Sequence, residues 1–110
     1  VKPKSPAAAE RALFALLGSG KVSLRRGRLK DACGIYDPNT GVIRVDAFHG
    51  GVLGTVIHEL FHSHLYRELD SWGKLEEPVL IALENAVVLH INRRPKLLAK
   101  WRQQVEDMLE

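Results

Sequence analysis

The sequence predicts an α+β domain, a small antiparallel three-stranded sheet packed on a central helix with three further helices around it. Three observations predict it. Apolar residues recur at three- and four-residue spacing in four separate segments, as in helices that bury one face. Residues 21–46 instead alternate with a period of two around Asp37-Pro38-Asn39-Thr40-Gly41, a strong turn signal because Pro presets φ and Gly accepts positive φ. The chain has 110 residues, 45% of them apolar and 26% charged, which is ordinary globular composition and enough for one modest core, so residues 1–110 are read as a single domain.

Each element has a local cause. Ser5 is a good N-cap and Pro6 a good first helical residue, so a helix is expected over 7–17, with Leu13, Phe14, Leu16 and Leu17 as its apolar face and Gly18 and Gly20 ending it. Val22 and Leu24 alternate with polar neighbours, which predicts a strand over 21–26, followed by a turn or bulge at Arg26-Gly27-Arg28. The Asp37–Gly41 signal predicts a hairpin pairing 34–36 with 41–46. After a connector at 47–51, Leu53, Val56, Ile57, Leu60, Phe61 and Leu65 recur at helical spacing and predict the central helix over 52–68.

Residues 69–75 read as a loop. Glu76-Glu77-Pro78 is a good helix start, with acids at the positive end of the dipole and Pro in the first turn. The run 79–91 that follows is apolar nearly all round, which predicts a buried helix. Pro95 breaks it and opens the last helix, 95–109, whose Leu97, Leu98, Trp101, Val105 and Met108 fall on one face.

The chemistry concentrates in the central helix, where His58-Glu59-Leu60-Phe61-His62 reads H-E-x-x-H. Two imidazoles one helical turn apart can grip one zinc ion, and the glutamate between them can reach a water bound to it. A catalytic zinc site needs a third protein ligand and an open position. Glu84 leads, because a carboxylate in the middle of a buried helix is costly unless paired or bound to metal. Glu77, seven residues earlier on the same helix face, and His90 remain alternatives, with His49 and His64 behind them. Glu59 is expected to serve as general base and not as a ligand. Tyr36, His49, His64 and Tyr66 are candidates for stabilising an oxyanion. Gly54, one turn before His58, leaves room for another segment to approach, and a sheet edge beside the cleft can hold an extended peptide by strand addition. The bland alternative is a pair of satisfied core histidines with Glu84 in a buried ion pair.

This pattern, H-E-L-F-H at 58–62 followed by Glu84 on the next helix, resembles the gluzincin metallopeptidases. The order of short sheet, H-E-x-x-H helix and glutamate helix is similar to their smallest members, the minigluzincins, and to the peptidase-like domains of the ImmA/IrrE group and related phage-encoded proteins. The likeness covers about residues 31–92, and only the zinc motif is specific. It implies the minimal zincin scaffold, zinc held by His58, His62 and Glu84, catalysis by Glu59, and hydrolysis of peptide or unfolded protein substrates. The chain departs from the pattern in carrying a second eligible glutamate, Glu77, and in lacking an obvious match to the family's transition-state stabiliser. The minimal gluzincins also suggest latency, with the last helix and its Trp101 and Met108 covering the cleft.

Composition bounds the remainder. A single cysteine, Cys33, excludes an intrachain disulfide framework and fits a cytoplasmic compartment. No apolar run is long enough to span a membrane, and Glu10 and Arg11 interrupt the apolar stretch that a signal peptide would need. The formal net charge of +3 is uneven, with basic runs at Lys21, Arg25, Arg26, Arg28 and Lys30 and at Arg93, Arg94, Lys96, Lys100 and Arg102. These read as solvated basic faces in preference to a nucleic-acid surface, because no aromatics interleave with the first run. A zinc-binding regulatory protein that is catalytically silent and binds protein or DNA through those faces is the rival to the peptidase.

Overall fold

A computed structural model of the chain describes residues 5–30, 32–46, 51–64 and 76–109, apart from the side chains of Glu76 and Glu77. The order of elements is α1 (Pro6–Leu17), β1 (Ser23–Arg26), β2 (Gly34–Asp37), β3 (Val42–Val45), α2 (Val52–His64), α3 (Glu76–Asn92) and α4 (Pro95–Met108). The architecture is therefore α+β, a small sheet with four helices among the described residues.

Local chemistry sets the ends of these elements. The Ser5 hydroxyl oxygen accepts the Ala8 N–H at 3.1 Å and Pro6 occupies the first turn of α1. In the turn between β2 and β3 the Gly41 N–H donates to the Asp37 carbonyl at 2.9 Å, and the Asp37 carboxylate accepts the Asn39 N–H at 2.9 Å. Gly41 itself has φ +74°, and a Cβ there would collide with the Lys21 carbonyl, so two constraints select glycine.

The sheet is mixed, which corrects the expected antiparallel arrangement. Its order is β1-β3-β2, with β2 antiparallel to β3 and β1 parallel to β3 in the register Leu24 to Ile43 and Arg25 to Arg44. Alternation of apolar and polar residues reports which face a side chain occupies and is the same for either strand direction. Direction is set by the connection, and β2 lies on the far side of β3 from β1. Asp46 holds that connection in place: its carboxylate, 2% exposed, accepts the Leu29 N–H at 2.9 Å, and its N–H donates to the Cys33 carbonyl at 2.9 Å. A parallel bridge from Leu24 to Leu109 covers the β1 edge, which leaves the β2 edge without a strand partner among the described residues.

The core lies between the inner face of the sheet and the helices. Leu13 and Leu17 of α1, Leu24, Ile43 and Val45 of the sheet, Val56, Ile57, Leu60 and Phe61 of α2, and Trp101 of α4 are all buried. The expectation that α3 is buried all round is corrected. It packs with α1, α2 and α4, burying Leu80, Val87 and Ile91, while Ile81 and Leu89 are about half exposed at 49% and 50%. A chain this short has too few elements to surround a helix, so one side of α3 meets solvent despite its apolar sequence. No described helix is long and apolar enough to cross a membrane.

Candidate metal centre

A cleft opens between the β2 edge and helices α2 and α3. Its walls include Gly34 and Tyr36 from the sheet side, Gly54, Thr55, His58, Glu59 and His62 from α2, and Ile81 and Glu84 from α3. The apolar spacing of α2 sets this orientation. Turning Val56, Ile57, Leu60 and Phe61 into the core leaves His58 and His62 partly exposed on the cleft side.

The two imidazoles, neighbours as an i, i+4 pair, meet edge to face with ring centroids 5.1 Å apart and planes at 66°. The ligand atoms of His58, Glu59 and His62 lie within 4.8 Å of one another, close enough to share one cation. Glu59 is 5% exposed. Glu84 approaches from α3 and meets His58 alone of these three: its Oε1 lies 2.7 Å from Nδ1 of His58, a hydrogen bond between helices across 26 residues of sequence. Three of the four residues expected to form the site, His58, Glu59 and His62, share one point on α2, and Glu84 of α3 joins them through His58 without entering that group. Two imidazole nitrogens and the Glu59 carboxylate, with the Glu84 carboxylate beside His58, offer nitrogen and oxygen donors of the kinds that zinc takes in its catalytic sites.

Of the other candidates, Tyr36 alone among the described residues borders this cleft; His64, at the exposed end of α2, and His90 do not. His49 and Tyr66, and the side chain of Glu77, lie outside the described residues. The last helix, expected to cover the cleft, contributes no lining residue; it packs against α3, α2 and β1, with Trp101 in the core.

Two glycines determine how closely the walls approach. A Cβ at Gly54 would stand 3.7 Å from Oε2 of Glu84, an ordinary contact, so the approaching segment foreseen at Gly54 is the Glu84 carboxylate. Gly34 was not singled out from the sequence and is the tighter site. A Cβ there would come within 2.5 Å of the Thr55 methyl and 3.2 Å of Glu59 Oε2. The sequence signal was present, since a glycine inside a strand marks close backbone approach. Gly34→Ala is expected to lower stability by about 1–3 kcal/mol, the usual cost of overpacking, and to displace Glu59. Gly54→Ala should be near neutral or stabilising, since alanine is the better helix former by about 1 kcal/mol. Thermal melts of the two variants check the contrast. Adding Thr55→Ser to Gly34→Ala removes the clashing methyl and should recover part of the loss.

No protein family, curated protein or solved structure matches this chain.

Proposed function

We propose that the protein is a zinc-dependent endopeptidase of gluzincin type, with His58, His62 and Glu84 holding the metal and Glu59 as the general base. The observation that carries this reading is that His58, Glu59 and His62 gather their ligand atoms within 4.8 Å of one another in an open cleft, with Glu84 hydrogen-bonded to His58, beside a strand edge that has no partner strand among the described residues. A core-histidine pair would explain the hydrogen bond to Glu84, but it would not explain why both imidazoles and the carboxylates face a cleft.

A bound zinc ion would lower the pKa of a water toward about 7 and polarise the scissile carbonyl. The chain supplies the rest. Glu59 takes a proton from the attacking water and passes it to the leaving amine nitrogen. The β2 edge offers backbone N–H and C=O groups that can align an extended substrate. Tyr36, which lines the same cleft, would donate a hydrogen bond to the oxyanion. The substrate on this reading is a peptide or an unfolded segment of protein, because only an extended chain can pair with a strand edge.

Metal analysis of purified protein should find about one zinc per chain, the stoichiometry of a mononuclear site. Glu59→Gln should keep that zinc and lose hydrolysis of casein by about 10²–10⁴-fold, the usual contribution of a positioned base. Protein purified without chelators that holds no zinc, or a wild type no more active than Glu59→Gln, would count against the peptidase.

A further inference from the structure

The charges of this chain avoid one exposed surface. From Ile81 onward the solvent-exposed positions of α3 are Ile81, Ala82, Asn85, Ala86, Leu89 and Asn92. They recur at three- and four-residue spacing and so form a single stripe. None of them is charged, although 26% of the chain is. The carboxylate of this segment, Glu84, lines the cleft instead. On α4 the exposed positions include Lys96, Lys100, Arg102, Glu106 and Asp107, the usual condition of a helix that faces water. Helices α1, α2 and α4 pack on the other side of α3, where Leu80, Val87 and Ile91 are buried. One half-exposed isoleucine is ordinary. An exposed face without a charge over about three helical turns, with Ile81 and Leu89 both half exposed on it, is not.

The stripe is also arranged about its own middle. Ile81 stands four residues before Asn85 and Leu89 four after it; Pro78, also exposed, stands seven before and Asn92 seven after. Two such helices laid antiparallel with a twofold axis at Asn85 bring each residue against the one equally far on the other side of Asn85 in the second copy. Leu89 then packs on Ile81 at both ends, and Asn85 meets Asn85. A twofold contact has to be complementary to itself. A charged face repels its own copy, whereas this face carries no charge, and a side-chain amide donates and accepts at once and so pairs with itself. One amide within an apolar seam also fixes the register of two helices.

We infer that a second copy of the chain docks on this face of α3, antiparallel, with the twofold axis at Asn85. A charged partner finds no opposite charge on the stripe. A membrane surface finds neither the basic residues nor the aromatic anchors that seat in an interface. The seam from Pro78 to Asn92 is about 21 Å long. One helix face of that length falls short of the roughly 800 Å² per partner of a standard interface, so the pair is weak and depends on concentration. Pairing needs neither metal nor hydrolysis, but it bears on the cleft. Ile81 is one of the cleft walls, and docking sets Leu89 of the second copy beside it.

The test is sedimentation velocity of the full chain over a concentration series reaching about 1 mM, enough to assemble a pair whose Kd is micromolar. The mass should rise from the 12.3 kDa of one chain to about twice that value. Asn85→Asp and Asn85→Lys should each stay at one chain, because each sets like charges on the axis. Mixed in equal amounts, the two variants should regain the doubled mass, since a position that faces itself turns two repelling variants into an attracting pair. Asn85 is exposed, so both should keep the circular dichroism of wild type. If either does not, Leu89→Ser, also at an exposed position, replaces them and should stay at one chain. Wild type at one chain throughout the series would overturn the proposal. So would doubled mass in the single variants, which would put the interface elsewhere, or a mixture that stays at one chain, which would move the axis off Asn85.

Discussion

Trp101→Ala is expected to remove a large part of the protein's folding stability. Trp101 is fully buried, its ring meets Phe14 edge-on at 5.1 Å between centroids, and its indole N–H donates to Oε2 of Glu10 at 3.0 Å. Truncating a buried tryptophan costs about 3–5 kcal/mol in lost contacts and residual cavity. The second loss follows from the first, because Glu10 is 5% exposed and would keep a buried carboxylate without its donor, at about 1–3 kcal/mol more. Domains of this size have about 5–15 kcal/mol in total. Urea unfolding followed by circular dichroism reads the effect, and Trp101→Phe separates its parts. Phenylalanine keeps most of the volume and loses the donor, so its cost should fall near the second contribution alone. A Trp101→Ala protein that melts within a few degrees of wild type would show that α4 is an appendage.

The same contact decides what happens when the last helix is removed. A latent peptidase covered by its final segment should gain activity on deletion of residues 95–110. Here α4 carries the largest side chain of the core, joins α1 through Glu10, and lies away from the cleft lining. Deletion should therefore destroy the fold and any activity with it.

What could be read from the sequence divides along physical lines. Helices and their faces were legible because each is specified locally. Ser5 and Pro6 start α1, Pro95 starts α4, and the spacing of Val56, Ile57, Leu60 and Phe61 sets which way α2 turns His58 and His62. Glu84 was singled out by the cost of a buried carboxylate, but α3 is less buried than its composition implied and Glu84 is partly exposed, so its contact with His58 rests on how α2 and α3 pack and not on that cost. What was not legible depends on how elements meet. Strand direction leaves no mark on alternation, so the parallel pairing of β1, and with it the union of Arg25 and Arg44, appears only in three dimensions. The bond between Glu10 and Trp101 spans 91 residues and has no local signature. Gly34 lies between these cases, since a glycine in a strand is a visible signal but the Thr55 methyl and Glu59 carboxylate it admits are not.

Glu84→Ala is expected to abolish tight zinc binding and, with it, all hydrolysis. The alternative role for Glu84 is narrower and chemically distinct. Its hydrogen bond to Nδ1 of His58 is the kind of contact that orients a metal-binding imidazole, which would then use its other nitrogen, Nε2, for the metal. Both roles predict a damaged enzyme, so activity alone cannot separate them; metal affinity can. Removing an orienting carboxylate typically weakens the metal by about 10–100-fold. Removing one of three protein ligands should weaken it further and change the coordination of the ion. Competition with a chelator of known affinity measures the first, and the visible absorption of the cobalt-substituted protein reports the second. Loss beyond about 100-fold with altered cobalt bands would place Glu84 on the metal. Loss within about 100-fold with unchanged bands would leave it as the partner of His58. That second result would bring Glu59, whose ligand atom lies within 4.8 Å of both imidazoles, into contention as a ligand and would remove the general base from the proposed mechanism. Glu59→Gln then provides the cross-check, because a general base can be replaced without losing zinc, whereas a ligand cannot.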